Sequence, residues 1–479
     1  MSNYKTVCGL EVHAELATKT KVFCSCSTSF GAPPNSQVCE VCTGMPGTLP
    51  VLNERVLEFA VRTGLALNCK ITLNNRFDRK NYFYPDLPKA YQISQLYLPI
   101  CTGGFVEIED SVNGGKKRVR IHEIHIEEDA GKLIHNDETG ETLINYNRCG
   151  VPLLEIVSEP DIATADEASD YVSRLREILR FCGVSDCKMQ EGSLRADVNV
   201  SVMPADSDVL GTRTEMKNLS SFRAIRASVD AEAKRQISVI ESGGRIIQET
   251  RRWDEAQGVS VSMRSKEEAQ DYRYFPEPDL PPITLSQGYV DEIKAKLPEL
   301  PKEKKARYMR DFGLSEYDTS IICSSLDFVR LFELTAGLTG SPKDSANWIM
   351  GELMRLLNEN QLAPEDMGFR RESLAEIINL LNGGKISRDS AKAVFEAVFK
   401  DNVDPAEYIR ENNLELLSDG TLLRETALGA IGANPKAVSE YLSGKQQALN
   451  YLVGQCMRML KGKASAPEIT KLLKELIDE

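Results

Sequence analysis

Two groups of side chains in this sequence have the types and spacing that do chemistry. The first is Cys24-Ser25-Cys26 followed by Cys39-Glu40-Val41-Cys42, two close cysteine pairs separated by a short loop. Zinc prefers four tetrahedral ligands, and two such pairs on turns bring four thiolates to about 2.3 Å from one ion. The loop between them carries Gly31, Pro33, Pro34 and Asn35, a turn-rich stretch with little means of ordering itself otherwise. Four filled positions leave no open coordination site, so such a zinc is structural. An iron–sulfur cluster fits the same residues, but no redox chemistry appears elsewhere in the sequence. Incidental surface thiols are the plainer alternative, and two pairs in one short segment speak against them.

The second group is dispersed. Glu11, His13 and Glu15 lie on one face of an alternating run, Gly9-Leu10-Glu11-Val12-His13-Ala14-Glu15-Leu16. Far along the chain come His125-Ile126-Glu127-Glu128-Asp129-Ala130-Gly131-Lys132 and Val151-Pro152-Leu153-Leu154-Glu155-Ile156-Val157. Glu128 shares strand parity with Ile124 and Ile126, and Glu155 sits within an apolar run. Carboxylates on apolar faces are costly unless paired or bound to a cation. A hard ion such as Mg²⁺, held by a few carboxylates and phosphate oxygens, meets that cost, and Mn²⁺ tolerates imidazole better. Separate ion pairs with Lys80, Lys89 or Lys132 would meet it equally well.

The elements that must position these groups are legible in outline. Up to about residue 295 the chain shows short alternating runs and turn signals. Lys117 to Ile126 alternates like a strand, and Asn113-Gly114-Gly115 before it predicts a hairpin with Gly104 to Ile108. One helix is predicted to open at Thr164, with Glu167 placed for a capping box, and to stop at Gly183. A second runs from about Phe222 to Gly243-Gly244. Strands with inserted helices in one domain point to an α+β fold. After Pro298-Glu299-Leu300-Pro301 helical periodicity dominates, and a softer break falls near Asp404-Pro405. The expected organisation is a sheet-rich domain over 1–295 with the cysteine loop inserted, a helical domain over 296–404 and a small helical tail over 405–479.

Composition narrows the function. A net charge of −13 argues against nonspecific coating of nucleic acid. The last segment nonetheless carries Lys445, Arg458, Lys461, Lys463, Lys471 and Lys474 with only Glu468 among them. That is either a nucleic-acid patch or a solvated helix surface. No apolar stretch approaches the ~20 residues that cross a bilayer, and Glu11, His13 and Glu15 follow the N-terminus too closely for an apolar signal region. A cytoplasmic protein that binds no membrane is expected. Its remaining cysteines, among them Cys69, Cys101, Cys149, Cys182, Cys323 and Cys456, then read as buried free thiols.

Longer stretches carry a resemblance. They include Gly9-Leu10-Glu11-Val12-His13, Phe77 through Asp86, Pro88 through Gln95 and His125 through Lys132. Val151 through Asp161, Glu191-Gly192-Ser193-Leu194-Arg195 and Asp271 through Asp279 continue it over almost the whole chain. Together they resemble the B subunits of the glutamyl/aspartyl-tRNA amidotransferases.

The resemblance implies a catalytic cradle, a helical domain and a tail domain that contacts tRNA. It implies a heterotrimer with an A-type amidase partner, which releases ammonia from glutamine, and a small C-type partner. The B subunit would use ATP to phosphorylate the side-chain carboxylate of glutamate or aspartate misacylated on tRNA(Gln) or tRNA(Asn). Ammonia from an intersubunit channel would then displace the phosphate. His13, Glu128 and Glu155 match the family's metal-binding positions, with Glu11 close enough to help, and Arg148 and Arg195 join them around the nucleotide. Lys80, Lys89 and Glu128 match the polar lining by which ammonia arrives, and Lys461 and Lys463 fall to the tRNA-binding tail. No Walker P-loop or kinase glycine loop is present, in keeping with a nucleotide site of the family's own kind.

Two positions depart from the pattern: His122-Glu123 before His125, where relatives often carry basic or small residues, and Asn145, where they usually carry Asp. An archaeal glutamate-specific relative carries an extra inserted domain that 479 residues cannot hold. A noncatalytic tRNA scaffold would not need carboxylates at Glu128 and Glu155. A freestanding glutaminase would need a Ser-Lys or Cys-His-Glu arrangement that is not evident. The basic tail generates one expectation: Lys461→Glu with Lys463→Glu weakens tRNA binding, read by filter binding, more than it slows ATP turnover. Unaltered tRNA affinity returns those lysines to a solvated surface.

Overall fold

The alternation from Tyr4 to Glu15 becomes a 12-residue strand with Cys8, Leu10, Val12 and Ala14 buried on one face. In this computed structural model, which describes residues 3–136, 138–265, 271–416, 420–460 and 464–478, that strand is central to a ten-stranded sheet. On one side it pairs antiparallel with Pro152–Ser158, which pairs in turn with Lys116–Glu128. On the other it pairs antiparallel with Leu194–Pro204, followed by Thr214–Leu219. The predicted hairpin is present, Phe105–Glu109 pairing with Lys116–Glu128 across Asn113-Gly114-Gly115. Both glycines have positive φ, +78° and +84°, which the tight turn requires.

Helices cover the apolar face. Ala165–Phe181 is capped by Thr164, whose hydroxyl accepts the Glu167 N–H, and ends before Gly183 at φ +66°. Phe222–Glu241 is capped in the same way by Ser221. Tyr171, Val172, Leu175, Ile225 and Val229 from these helices join Leu10, Val12, Ile124, Ile126, Leu154 and Ile156 in one hydrophobic cluster. Because side chains alternate across a strand, filling one face with aliphatics sends the intervening residues to the other. That arrangement frees the second face for polar groups.

The chain divides into compact units Met1–Pro301 and Lys302–Glu479. The second unit is built of helices, and Leu423, Ala427, Leu449, Leu452, Cys456, Ile469 and Leu473 form a core near its C-terminal end. Lys445, Arg458, Lys471 and Lys474 are exposed there, whereas Lys461 and Lys463 lie outside the described residues. Strands in the first unit and helices in both make the fold α+β. Cys69, Cys101, Cys149, Cys182, Cys323 and Cys456 are buried free thiols. No helix among the described residues is long and apolar enough to cross a membrane.

Ile126 is fully buried on the apolar face. Ile126→Ala is expected to destabilise the first unit by about 2–5 kcal/mol, measured by denaturant unfolding.

Candidate active site

Register brings the dispersed carboxylates together. His13 stands opposite Glu155 on one neighbouring strand and Arg195 on the other, and Glu155 stands opposite His125. Glu127, two residues on from His125, shares its face. His13 Nε2 lies 3.5 Å from Glu127 Oε1 and 3.9 Å from Glu155 Oε2. Ligand atoms of these three side chains all fall within 4.8 Å of one another. His125 adds a second imidazole, its Nδ1 3.8 Å from Glu155 Oε2.

Glu128 is not in this group. Its parity with Ile124 and Ile126 carries it to the opposite face. There Lys89 Nζ approaches both its oxygens, at 2.5 and 2.7 Å, and the Ile93 N–H donates to it at 2.9 Å. Of the expected trio His13, Glu128 and Glu155, the structure brings His13 and Glu155 together, with Glu127 rather than Glu128 beside them. A one-residue step along a strand reverses the side-chain direction, and the polar run His125-x-Glu127 carried the signal.

Glu11 lies farther along the polar face with a second set of acids, Asp197 and Glu215, their oxygens also within 4.8 Å of one another. Asn199 Nδ2 donates to Glu11 at 3.0 Å. Lys217 Nζ sits 2.5 Å from Asp197 and 2.7 Å from Glu215, supplying positive charge from within the chain. Sequence reasoning missed Asp197, Glu215 and Lys217, because their strands lie nearly 200 residues beyond Glu11 and carry no motif of their own.

Electrostatics mark the polar face as a place for cations. Burial and the nearby Glu155 carboxylate raise Glu127 above the usual carboxylate range. Glu155 is also buried, but His13, His125 and Lys80 hold it below that range. Lys80, which burial alone would lower, is raised by Glu127 and by other anionic partners, so it stays an ammonium among carboxylates. Two carboxylates and an imidazole within reach of one point suit a divalent ion, Mn²⁺ more readily than Mg²⁺ given the nitrogen ligand.

Arg195 and Arg148 meet on one acid. Arg195 Nη2 donates to Asp129 Oδ2 at 2.7 Å, and Arg148 Nε lies 3.4 Å from the same oxygen. Arg148 also donates to the carbonyls of Ala130 and Gly131, at 3.0 and 2.7 Å. Arg195 Nε is buried with no acceptor among the described residues, an unspent donor on the polar face that an anionic ligand would satisfy. Glu15 shares this corner. Burial and the Asp129 carboxylate push it up to about 8.

The four cysteines converge. Their Sγ atoms lie within 4.8 Å of one another. The Cys24 thiol hydrogen-bonds to Cys42 and favours its thiolate, while the same contact and burial raise Cys24. Among the described residues, these four sulfurs form a closed set with the composition of a structural zinc site. Asn145, the departure from the resembled pattern, clasps the loop between the pairs. Its Oδ1 accepts from the Asn35 and Asn147 N–H groups at 3.2 and 3.0 Å, and the Asn35 side chain returns bonds to Ile144 and Tyr146. A carboxylate oxygen could accept the same two bonds.

Two outcomes follow from this geometry. Glu127→Gln is expected to weaken Mn²⁺ binding at least about tenfold by electron paramagnetic resonance titration, and Glu128→Gln far less. A raised Glu15 favours its protonated form in the folded state, so its contribution falls as pH rises from its unfolded value of about 4.5 through about 8. Wild type is thus expected to lose stability relative to Glu15→Gln across that window, measured by thermal melting at stepped pH.

Residues 6–291 match the GatB/GatE catalytic domain family, and residues 330–477 match the GatB domain family. The chain is 53% identical over 479 residues to the B subunit of the aspartyl/glutamyl-tRNA(Asn/Gln) amidotransferase of Lachnoclostridium phytofermentans, covering all of both chains. It is 52% identical over 479 residues to the B subunit of the same name from Caldicellulosiruptor saccharolyticus, covering 99% of each. Matched over both domains and alike from end to end, this chain belongs to the family of the aspartyl/glutamyl-tRNA(Asn/Gln) amidotransferase B subunits.

Proposed function

We propose that this chain uses ATP to activate the side-chain carboxylate of glutamate or aspartate misacylated on tRNA, and there completes its conversion to the amide. Ammonia would come from the A-type amidase partner, in a heterotrimer with the small C-type partner, working in the cytoplasm. The supporting observation is the convergence of His13, Glu127 and Glu155 on the sheet face opposite the helices, beside the cations Lys80 and Arg195.

A carboxylate is a poor acyl donor because its oxygen leaves badly, and an acyl phosphate removes that difficulty. Phosphoryl transfer rests mostly on positioning and on neutralising charge at the phosphate oxygens. His13, Glu127 and Glu155 would hold Mg²⁺ or Mn²⁺, which supplies that neutralisation when bound. Lys80 contributes a fixed ammonium where negative charge gathers. Arg195, tied to Asp129 by one nitrogen, keeps its Nε for an anionic group. Glu11 serves the same face from its own acid cluster with Asp197 and Glu215.

Lys89 and Glu128 have a different place. They form a buried ion pair at the wall of a cavity of about 100 Å³, lined also by Phe23, Tyr91 and Cys42. A small neutral amine fits that volume, in keeping with a polar passage for ammonia toward the acyl phosphate. The tail 405–479 would serve tRNA, with Lys461 and Lys463 at its backbone.

The test uses the assembled heterotrimer with Glu-tRNA(Gln) and Asp-tRNA(Asn). ADP release that depends on the misacylated tRNA is expected, and His13→Ala lowers it at least about a hundredfold without loss of fold. Glu128→Ala is expected to abolish glutamine-dependent amide formation while glutaminase activity of the partner survives. ADP release independent of misacylated tRNA, or unaltered product in these variants, removes the proposed site.

A further inference from the structure

Lys21 is among the largest fully buried side chains of the first unit. Among the described residues, no carboxylate lies within 4.0 Å of its ammonium group. Its Nζ lies instead 3.5 Å from Cys42 Sγ and 3.5 Å from the Tyr146 carbonyl oxygen. A buried ammonium needs a counter-charge, and a carbonyl dipole alone does not supply one. Four thiolates around one divalent ion carry a net double negative charge, which needs an ammonium as much as the ammonium needs it.

The backbone places the two together from several directions. The Lys21 N–H donates to the Cys26 carbonyl at 3.0 Å, tying the lysine to the other cysteine pair. Cys149 Sγ lies 3.3 Å from the Cys42 carbonyl. At Gly150 a Cβ would stand 3.5 Å from Cys42 Cβ, 3.6 Å from Lys21 Cδ and 3.9 Å from Glu128 Oε2. Lysine, cysteine and the Lys89-paired glutamate therefore crowd one position.

We propose that Lys21 is the counter-ion of the four-cysteine metal centre, a positioning residue whose ammonium donates to the Cys42 thiolate and offsets the charge of the tetrathiolate. The proposal rests on the reading of Cys24, Cys26, Cys39 and Cys42 as a zinc site. Donors to a metal's ligands fix ligand orientation, and their loss typically costs about 10–100-fold in metal affinity. Lys21 also lines the cavity that holds Lys89 and Glu128. Gly44, two residues past Cys42, touches Lys89 so closely that a Cβ there would stand 2.4 Å from its Cγ. The metal centre thus forms one wall of that cavity, and Lys21 secures the wall.

The full-length chain tests this. Wild type is expected to carry one zinc, and Lys21→Met to bind it about 10–100-fold more weakly in competition with a chromogenic chelator. Lys21→Arg, which keeps the charge, stays close to wild type. In cobalt-loaded protein the thiolate-to-cobalt absorption moves to lower energy in Lys21→Met, a change that packing alone would not produce. Unchanged affinity and an unchanged cobalt spectrum overturn the proposal and leave the zinc reading intact, whereas a wild type without zinc overturns both. Should Lys21→Met not fold, Lys21→Met with Cys42→Ser removes both charges and is expected to melt no lower than Cys42→Ser alone. A double variant that melts lower overturns the proposal.

Discussion

Like charges held at close range govern the polar face of the sheet. Glu127 and Glu155 both approach His13, and burial denies them the water that would screen their repulsion. Such a group is stable only with cations near it, and the chain supplies Lys80 and two imidazoles for the purpose. Burial and Glu155 keep Glu127 raised, whereas His13, His125 and Lys80 hold Glu155 lowered. Charge of this kind, built into a sheet, is suited to receive a divalent cation.

Glu127 and Glu128 show how one strand end serves two regions. The first joins the polar face, and the second turns through the sheet to Lys89 and the Ile93 N–H. Asp129, next in line, gathers Arg148 and Arg195. Three consecutive acids thus have three separate cationic environments, each set by the direction in which the backbone points the side chain.

Much of this is legible without coordinates. Thr164 and Gly183 bound a helix as their capping chemistry requires, and Asn113-Gly114-Gly115 turns the hairpin. Spacing alone marks the cysteine quartet, because its ligands are close in sequence. The trio on the polar face is harder. Parity rightly sets Glu128 among Ile124 and Ile126, but a carboxylate on an apolar face can be met by a metal or by an ammonium, and here the partner is Lys89. Asp197, Glu215 and Lys217 depend on pairing between strands far apart in the chain, and local pattern carries no record of long-range register.

The central position of Tyr4–Glu15 bears on how the protein is made. This strand leaves the ribosome well before its neighbours, Pro152–Ser158 and Leu194–Pro204. Its two edges stay without partners through the synthesis of most of the first unit, and loop-closure entropy delays pairing further. A nascent chain of this topology presents an alternating, unpaired ribbon until those neighbours have been made.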